Sequence, residues 1–339
     1  MVWFLGSVLG MAQQGAPASV PTGDAAQQAG VPVGTLSAKL THTSRIYDGM
    51  QTDYWIYVPA QYDPKVPAAL MVFQDGSGYL DRQGSHPALN TLDNLIAQKK
   101  IPVMIAVFIN PGDIASSPGT PTYRFAEAYG KKFDRTLKDS MRSTEYDTVS
   151  DRYGRFLRDE LLPEVARKYN LRTDAYSRGI TGSSSGGIAS FNAAWWMPDQ
   201  FARVISWIGS FTSIQWHEDP SVPDGGQAFP EKILHERVRN LRVWIEDGNN
   251  DQENPKYGSW PLANLRMANA LKLKGYDFRF SFGTGPHSQV HGGAEFPEEM
   301  TWLWRDYDPA RTTQTFVQDP AEGKLPPFRV TIANREQKP

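Results

Sequence analysis

Between residues 36 and 307, short apolar runs alternate with stretches whose apolar residues recur every three or four positions. Tyr54-Trp55-Ile56-Tyr57-Val58 is aromatic and β-branched and closes at Pro59, which predicts a strand; residues 36–46 offer it an antiparallel partner. Residues 68–73 and 103–109 are continuously apolar, as strands buried on both faces are, and residues 204–208 read as another strand. Residues 241–246 and the alternating 278–282 predict two more strands, and another ends at Gly182. Helical spacing falls between them. Leu89, Leu92, Leu95 and Ile96 share one face, and Tyr153, Phe156, Leu157 and Leu161 another, with a kink expected at Pro163. Residues 188–196 follow a Gly/Ser turn, Leu262, Leu265, Met267, Ala268 and Leu271 run up to Gly275, and a last helix is expected to open at Pro297. Such alternation specifies an α/β fold, a mostly parallel central sheet with helices on both faces. Ligands of such sheets bind beyond the carboxyl ends of the strands.

The flanks lack this pattern. Residues 1–12 resemble the apolar part of a secretory signal without a basic residue before it, which reads as a truncated signal and predicts a periplasmic or secreted protein, with a cytoplasmic one as the alternative. Residues 13–34, rich in Ala, Gly, Gln and Pro, read as a linker. The folded domain is expected over 35–307, followed by a polar tail at 308–339 with no core of its own. Inside the domain, 113–141 has no sustained period and leaves a strand end, so it is expected to drape over a site.

Composition narrows the classes. There is no cysteine, which excludes disulfides, thiolate metal sites and a cysteine nucleophile. A formal charge of −2 without a Lys/Arg run argues against nucleic-acid or anionic-membrane partners. No internal apolar run reaches transmembrane length.

The chemistry concentrates around Gly182-Ser183-Ser184-Ser185-Gly186, set between a strand and a helix. A Gly-x-Ser-x-Gly turn in that context holds its serine clear of the sheet as a nucleophile, here Ser184. Serine is a poor nucleophile near pH 7 and needs a base, with histidine oriented by a carboxylate the usual solution. Of the four histidines after Ser184, His235 sits among charges, His217 follows Trp216 in a loop, and His287 and His291 lie between the last strand and last helix. His287, nearer the strand end, is the expected base and His291 the reserve. Asp251 is the expected acid, because it follows the Gly248 turn and can reach back; Asp247, Glu246 and Glu253 are the alternatives. The oxyanion requires positioned N–H groups, expected from Ser185 and from one of Gly76 and Ser77 in the loop after the run at 68–73. Tyr79, Trp216, His217, Trp260 and His291, with Arg142 and Glu145, are candidate substrate contacts. His287 and His291 have the spacing of a zinc pair, but surrounding glycines and Pro286 oppose a helix there. Residues 247–253 resemble a calcium loop whose glycine and distal glutamate are misplaced. No metal and no cofactor is expected.

These segments, together with Val72-Phe73-Gln74-Asp75-Gly76, Arg142-Ser143-Thr144-Glu145-Tyr146-Asp147, Trp260-Pro261-Leu262-Ala263-Asn264 and Gly285-Pro286-His287, resemble the enterochelin esterase-related, esterase D-like family of α/β-hydrolases. The resemblance runs from about Leu36 to Tyr307. It implies an α/β-hydrolase fold and metal-free hydrolysis of a small-molecule carboxylic ester, with Ser184, Asp251 and His287 at the motif positions and Asp75-Gly76 opening the oxyanion loop. Pro286 departs from the pattern, and 113–141 carries no family motif, so substrate does not carry over. Short-acyl, aryl and hydroxycinnamoyl esters remain open. A siderophore trilactone esterase, which predicts a basic pocket, and a non-catalytic binding module are the rival readings.

Overall fold

A computed structural model of the chain describes residues 21–115, 138–327 and 329–335. The signal-like start and the middle of the 113–141 segment lie outside the described residues.

An antiparallel edge opens the domain. β1 (Thr35–Leu36) and β2 (Leu40–Thr43) both pair with β3 (Gln51–Val58). β4 (Ala69–Gln74) leads through α1 (Ala88–Ala97) to β5 (Met104–Ile109), which lies parallel to β4 and antiparallel to β3. β6 (Asp113–Ala115) and β7 (Lys138–Ser140) then pair as an antiparallel stem beside β3, so both ends of the segment expected as loop are strands. α2 (Arg142–Tyr146), α3 (Arg152–Phe156), a π-helical turn at Leu157–Leu161 and α4 (Leu162–Ala166) carry the chain to the other side of β4. The π turn stands directly before Pro163, whose missing N–H and ring disturb the regular ladder there.

β8 (Arg178–Ser183), α5 (Ser185–Trp196), β9 (Arg203–Trp207), α6 (Phe229–His235) and β10 (Arg242–Asn250) follow. The small hairpin of β11 (Glu253–Asn254) and β12 (Gly258–Ser259) precedes α7 (Trp260–Leu273), β13 (Asp277–Pro286) and α8 (Val290–Leu303). α9 (Pro320–Lys324) and β14 (Ile332–Arg335) close the described chain. The sheet order is β14-β13-β10-β9-β8-β4-β5-β3-β6-β7, parallel from β14 to β5.

Side chains alternate across this sheet with the two-residue period of a strand. Leu70, Val72, Ile180, Val204 and Ile245 join the core under α3 to α7, whereas Met71, Phe73, Ile205, Trp207 and Trp244 face α1 and α8. Both faces are covered, which is why β4 and β5 read as unbroken apolar runs. Strand order reverses at β4, with β5 on one side and β8 on the other, and the crevice this opens lies at the carboxyl ends of those strands. Among the described residues, no helix is long and apolar enough to cross a membrane.

Three expectations need correction. The last helix begins at Val290 rather than Pro297, which lies inside it. Its first turns were hidden by Gly292 and Gly293, where a Cβ would stand 2.6 Å from the Trp207 ring and 1.9 Å from the Ser85 carbonyl oxygen. The described part of the linker docks on α1: Asn94 Nδ2 donates to the Asp24 and Ala26 carbonyls at 2.8 and 2.7 Å, and Ala25 is buried. The segment read as a tail also packs. Phe316 is buried with Tyr176 and Ala202, Lys272 Nζ donates to the Leu325 and Pro326 carbonyls, and β14 adds a parallel strand to β13. Backbone bonds and one aromatic anchor hold it, and neither leaves an apolar period.

Candidate active site

Ser184 sits between the end of β8 and the start of α5 at φ 57° and ψ −121°, a conformation that costs a non-glycine residue roughly 1–3 kcal/mol. Surrounding backbone bonds hold it there. Ser184 N donates to the Trp207 carbonyl at 2.9 Å, and its own carbonyl accepts from Gly187 and Ser210 N at 2.9 and 3.1 Å. The turn closes so tightly that a Cβ at Gly182 would stand 2.5 Å from the Gly186 carbonyl. Only glycine fits.

The expected base and acid arrive through strand register. β10 and β13 run parallel with Gly248 opposite Gly283, but Asn250 opposite Pro286. Two residues of β10 therefore span three of β13, and that bulge advances the second strand by one position. The next residues, Asp251 and His287, come out side by side. His287 Nδ1 lies 2.5 Å from Asp251 Oδ1, and His287 Nε2 lies 2.9 Å from Ser184 Oγ. Asp251 Oδ1 also accepts from Gln252 N. With the carboxylate accepting at Nδ1, the proton sits there and Nε2 is free to accept from the serine hydroxyl. Trp260 meets the His287 ring edge-on at 5.7 Å.

Beyond β4, Asp75 turns the chain in the left-handed region (φ 56°) and Gly76 follows. A Cβ at Gly76 would lie 2.3 Å from the Ile109 backbone nitrogen, so the loop hugs the end of β5. Arg142 clamps Asp75 with two bonds, Nε to Oδ1 at 2.8 Å and Nη2 to Oδ2 at 2.7 Å. Ser77 N donates to Asn110 Oδ1 at 2.9 Å, which leaves Gly76 as the other member of the expected donor pair. Ser185 opens α5, and its hydroxyl donates to Asp147 Oδ2 at 3.1 Å. Burial, partly offset by that bond, pushes the Asp147 carboxyl up to about 6.

The model of the Esterase family, described as "Putative esterase", matches residues 49–299, most of the chain and every site residue just described. This chain belongs to the Esterase family. Among curated proteins, the uncharacterized protein YbbA of Bacillus subtilis (strain 168) is 24% identical over 167 residues, 49% of this chain; the chain spans 58% of that relative's length. Among solved structures, a ferulic acid esterase superposes with a TM-score of 0.58 at 16% identity, over 81% of this chain and 100% of its own. The enterobactin esterase of Shigella flexneri, solved with 2,3-dihydroxy-N-benzoyl-serine, gives a TM-score of 0.59 at 20% identity, over 85% and 63%. A ferulic acid esterase of Anaeromyces mucronatus gives 0.59 at 15% identity, over 84% and 98%. At these identities the likeness is one of fold.

In this esterase-family fold, several expected substrate contacts are structural. Tyr79 is fully buried, stacked on Trp207 and edge-on to Phe73 and His86. Glu145 is buried and accepts from Gly112 N at 2.6 Å; burial, partly offset by that bond, pushes its carboxyl up to about 8. Arg142 is committed to Asp75. His291, the reserve base, points away between Glu246 Oε1 at 2.7 Å and Glu295 Oε1 at 3.0 Å. Burial opposes its charge, but those two partners outweigh burial and push it up to about 10, so it is an imidazolium.

Glu246 is thereby excluded as the acid, and Glu253 lies exposed in β11. Asp247 is fully buried, accepting from Gly248 N and Asn264 Nδ2 at 2.7 Å each. Burial first, then hydrogen bonding and charge at Asp251, raise the Asp247 carboxyl well above the ordinary range. Trp260 is nearly buried, its indole N–H donating to Ser210 Oγ. Trp216 and His217 are exposed on the loop after β9, which Gln215 Nε2 ties to Ser143 Oγ at 2.8 Å. Among the described residues, no hydrogen bond or ring contact joins either of them to Ser184 or His287. Sequence reasoning gave no role to Ser210, nor to Asp147 and Asn264, which stand at the ends of two segments that carry the family resemblance. Ser210, a serine after glycine at a strand end, carried only that local signal.

Proposed function

We propose that this protein is a serine hydrolase of carboxylic esters that works through an acyl-enzyme. The observation that carries the reading is the position of His287, within hydrogen-bond reach of both Ser184 Oγ and Asp251 Oδ1. Ser184 Oγ attacks the ester carbonyl as its proton passes to His287 Nε2, and Asp251 holds the imidazolium by its Nδ1–H. The carbonyl π pair moves to oxygen, where the Gly76 and Ser185 N–H groups at the crevice receive it, the latter at the positive end of α5. As the tetrahedral centre collapses, the alkoxide takes the proton from His287 and leaves. Water then repeats the sequence and releases the acid.

The substrate reading follows the charges. Among the described residues, the cation beside the oxyanion loop, Arg142, is spent on Asp75, and Glu145 is buried with its carboxyl pushed up to about 8. An uncharged ester, short-acyl, aryl or hydroxycinnamoyl, suits that rim better than the anionic catecholates of a siderophore trilactone.

Labelling tests the chemistry. A fluorophosphonate should modify Ser184 of the wild type, and Ser184→Ala should lose both the label and hydrolysis of p-nitrophenyl acetate. An unlabelled Ser184 in active protein would overturn the mechanism. A panel of acetyl, feruloyl, aryl and catecholate-lactone esters tests the substrate class, and highest kcat/KM on the lactone would overturn the uncharged-ester reading.

A further inference from the structure

Ser210 lies three residues beyond β9, and its hydroxyl oxygen stands 3.2 Å from Ser184 Oγ. Its placement is built rather than incidental. Ile208, a β-branched residue, is held at φ 43°, and the chain after it folds back so that Ser210 N donates to the Ser184 carbonyl at 3.1 Å. Ser210 is 1% exposed, so bulk water does not compete for its hydroxyl. On its other side, Trp260 Nε1 donates to Ser210 Oγ at 3.1 Å.

Direction follows from donor chemistry. An indole N–H only donates. The Ser210 oxygen therefore accepts from Trp260, and the acceptor the described structure offers to the Ser210 proton is Ser184 Oγ. A single line of bonds results, from Trp260 N–H to Ser210 O–H, to Ser184 O–H, to His287 Nε2, and from His287 Nδ1–H to Asp251.

We infer that Ser210 is a further catalytic residue, donating a hydrogen bond to the nucleophile oxygen, and that Trp260 is a positioning residue acting through it. The inference rests on the proposed role of Ser184. In acylation the Ser184 proton moves to His287, and the pair left on Oγ forms the bond to the carbonyl carbon. In deacylation that bond breaks, the pair returns to Oγ, and His287 gives the proton back. Oγ carries partial negative charge in both steps, and the Ser210 O–H points at it throughout without giving up its own proton. The same bond holds Ser184 in the rotamer that faces His287.

The experiment compares wild type, Ser210→Ala, Ser210→Cys, Trp260→Phe and the double variant Ser210→Ala/Trp260→Phe, with p-nitrophenyl acetate and a fluorophosphonate. Loss of one neutral donor predicts a roughly tenfold fall in kcat for Ser210→Ala with KM unchanged, and an equal fall in labelling rate. Ser210→Cys keeps the packing but donates weakly, so it should also fall, which keeps the test valid if the alanine variant fails to fold. Trp260→Phe should cost several-fold alone and nothing more in the Ser210→Ala background, because a residue acting through another is not additive with it. Full kcat and full labelling rate in folded Ser210→Ala or Ser210→Cys would overturn the inference. So would additive losses in the double variant, or a loss confined to KM. If wild-type Ser184 takes no label, the nucleophile assignment itself has failed; if it labels equally fast in wild type and Ser210 variants, only the role of Ser210 has.

Discussion

Replacing Asp251 by asparagine gives the sharpest quantitative test of the site. In many triads such a change is ruinous, roughly 10⁴-fold in kcat, because the amide presents N–H to the histidine and imposes the wrong tautomer. Here the local donors dictate otherwise. The position of Asp251 Oδ1 receives both the Gln252 N–H and His287 Nδ1–H, so only the amide oxygen fits there. The amide nitrogen then takes the place of Oδ2, which is buried and faces Asp247. A carboxyl oxygen of Asp247 can accept from it, so the asparagine variant keeps the productive tautomer.

What is lost is charge at the imidazolium. Exchanging a charged acceptor for a neutral one costs about 1–1.5 kcal/mol. The full Coulomb term for a unit charge about 4 Å away is about 4 kcal/mol at an effective dielectric of 20. The two values bracket kcat losses of roughly 10-fold and 10³-fold. With the amide oxygen still accepting from His287 Nδ1–H, the expected value lies between the two, near 10². KM should hold, since Asp251 stands behind His287. Asp251→Ala, which removes the acceptor altogether, should lose at least tenfold more. Steady-state kinetics on p-nitrophenyl acetate with the three proteins decides it. Equal losses in the asparagine and alanine variants, or a 10⁴-fold loss in the asparagine variant, would refute the orientation argued from Gln252 and Asp247.

Three further outcomes are expected. Arg142→Ala should lower kcat about tenfold by releasing the Asp75-Gly76 loop, and Arg142→Lys should not restore it, because an ammonium cannot make both bonds; a rise in KM at unchanged kcat would instead make Arg142 a substrate contact. Glu145 keeps its proton in the fold up to about pH 8, while in the unfolded chain it releases it near 4.5. The fold therefore binds more protons between those values, and stability falls as pH rises through that window, by at most about 1.4 kcal/mol per pH unit from this group. Glu145→Gln should flatten urea midpoints measured at pH 5, 6, 7 and 8 relative to wild type, and parallel curves would contradict the assignment. Phe316 lies under the Arg242 and Arg203 guanidiniums at 4.5 and 5.1 Å, so Phe316→Ala should cost about 2–3 kcal/mol in urea unfolding, below the usual range for a deep core because the site opens outward. Its kcat at 25 °C should be unchanged, and an unaltered midpoint would show that the C-terminal segment contributes nothing.

The amino-acid sequence by itself determined the layered fold and the turn at Ser184, because both are local. A strand covered on two faces must be apolar throughout, as β4 and β5 are, and a turn as tight as that at Gly182 admits only glycine. Chain order likewise brought His287 and Asp251 forward as base and acid. Tertiary structure decided what depends on two distant segments meeting. The bulge that sets Asp251 beside His287 exists only in the pairing of β10 with β13. Burial turned Tyr79 and His291 from surface candidates into core, since the residues that cover them, Trp207, His86, Glu246 and Glu295, are scattered along the chain. Arg142 found Asp75 across 67 residues and Asn264 found Asp247 across 17. Ser210 found Ser184 in the same way, through a backbone turn at Ile208 that no local pattern encodes.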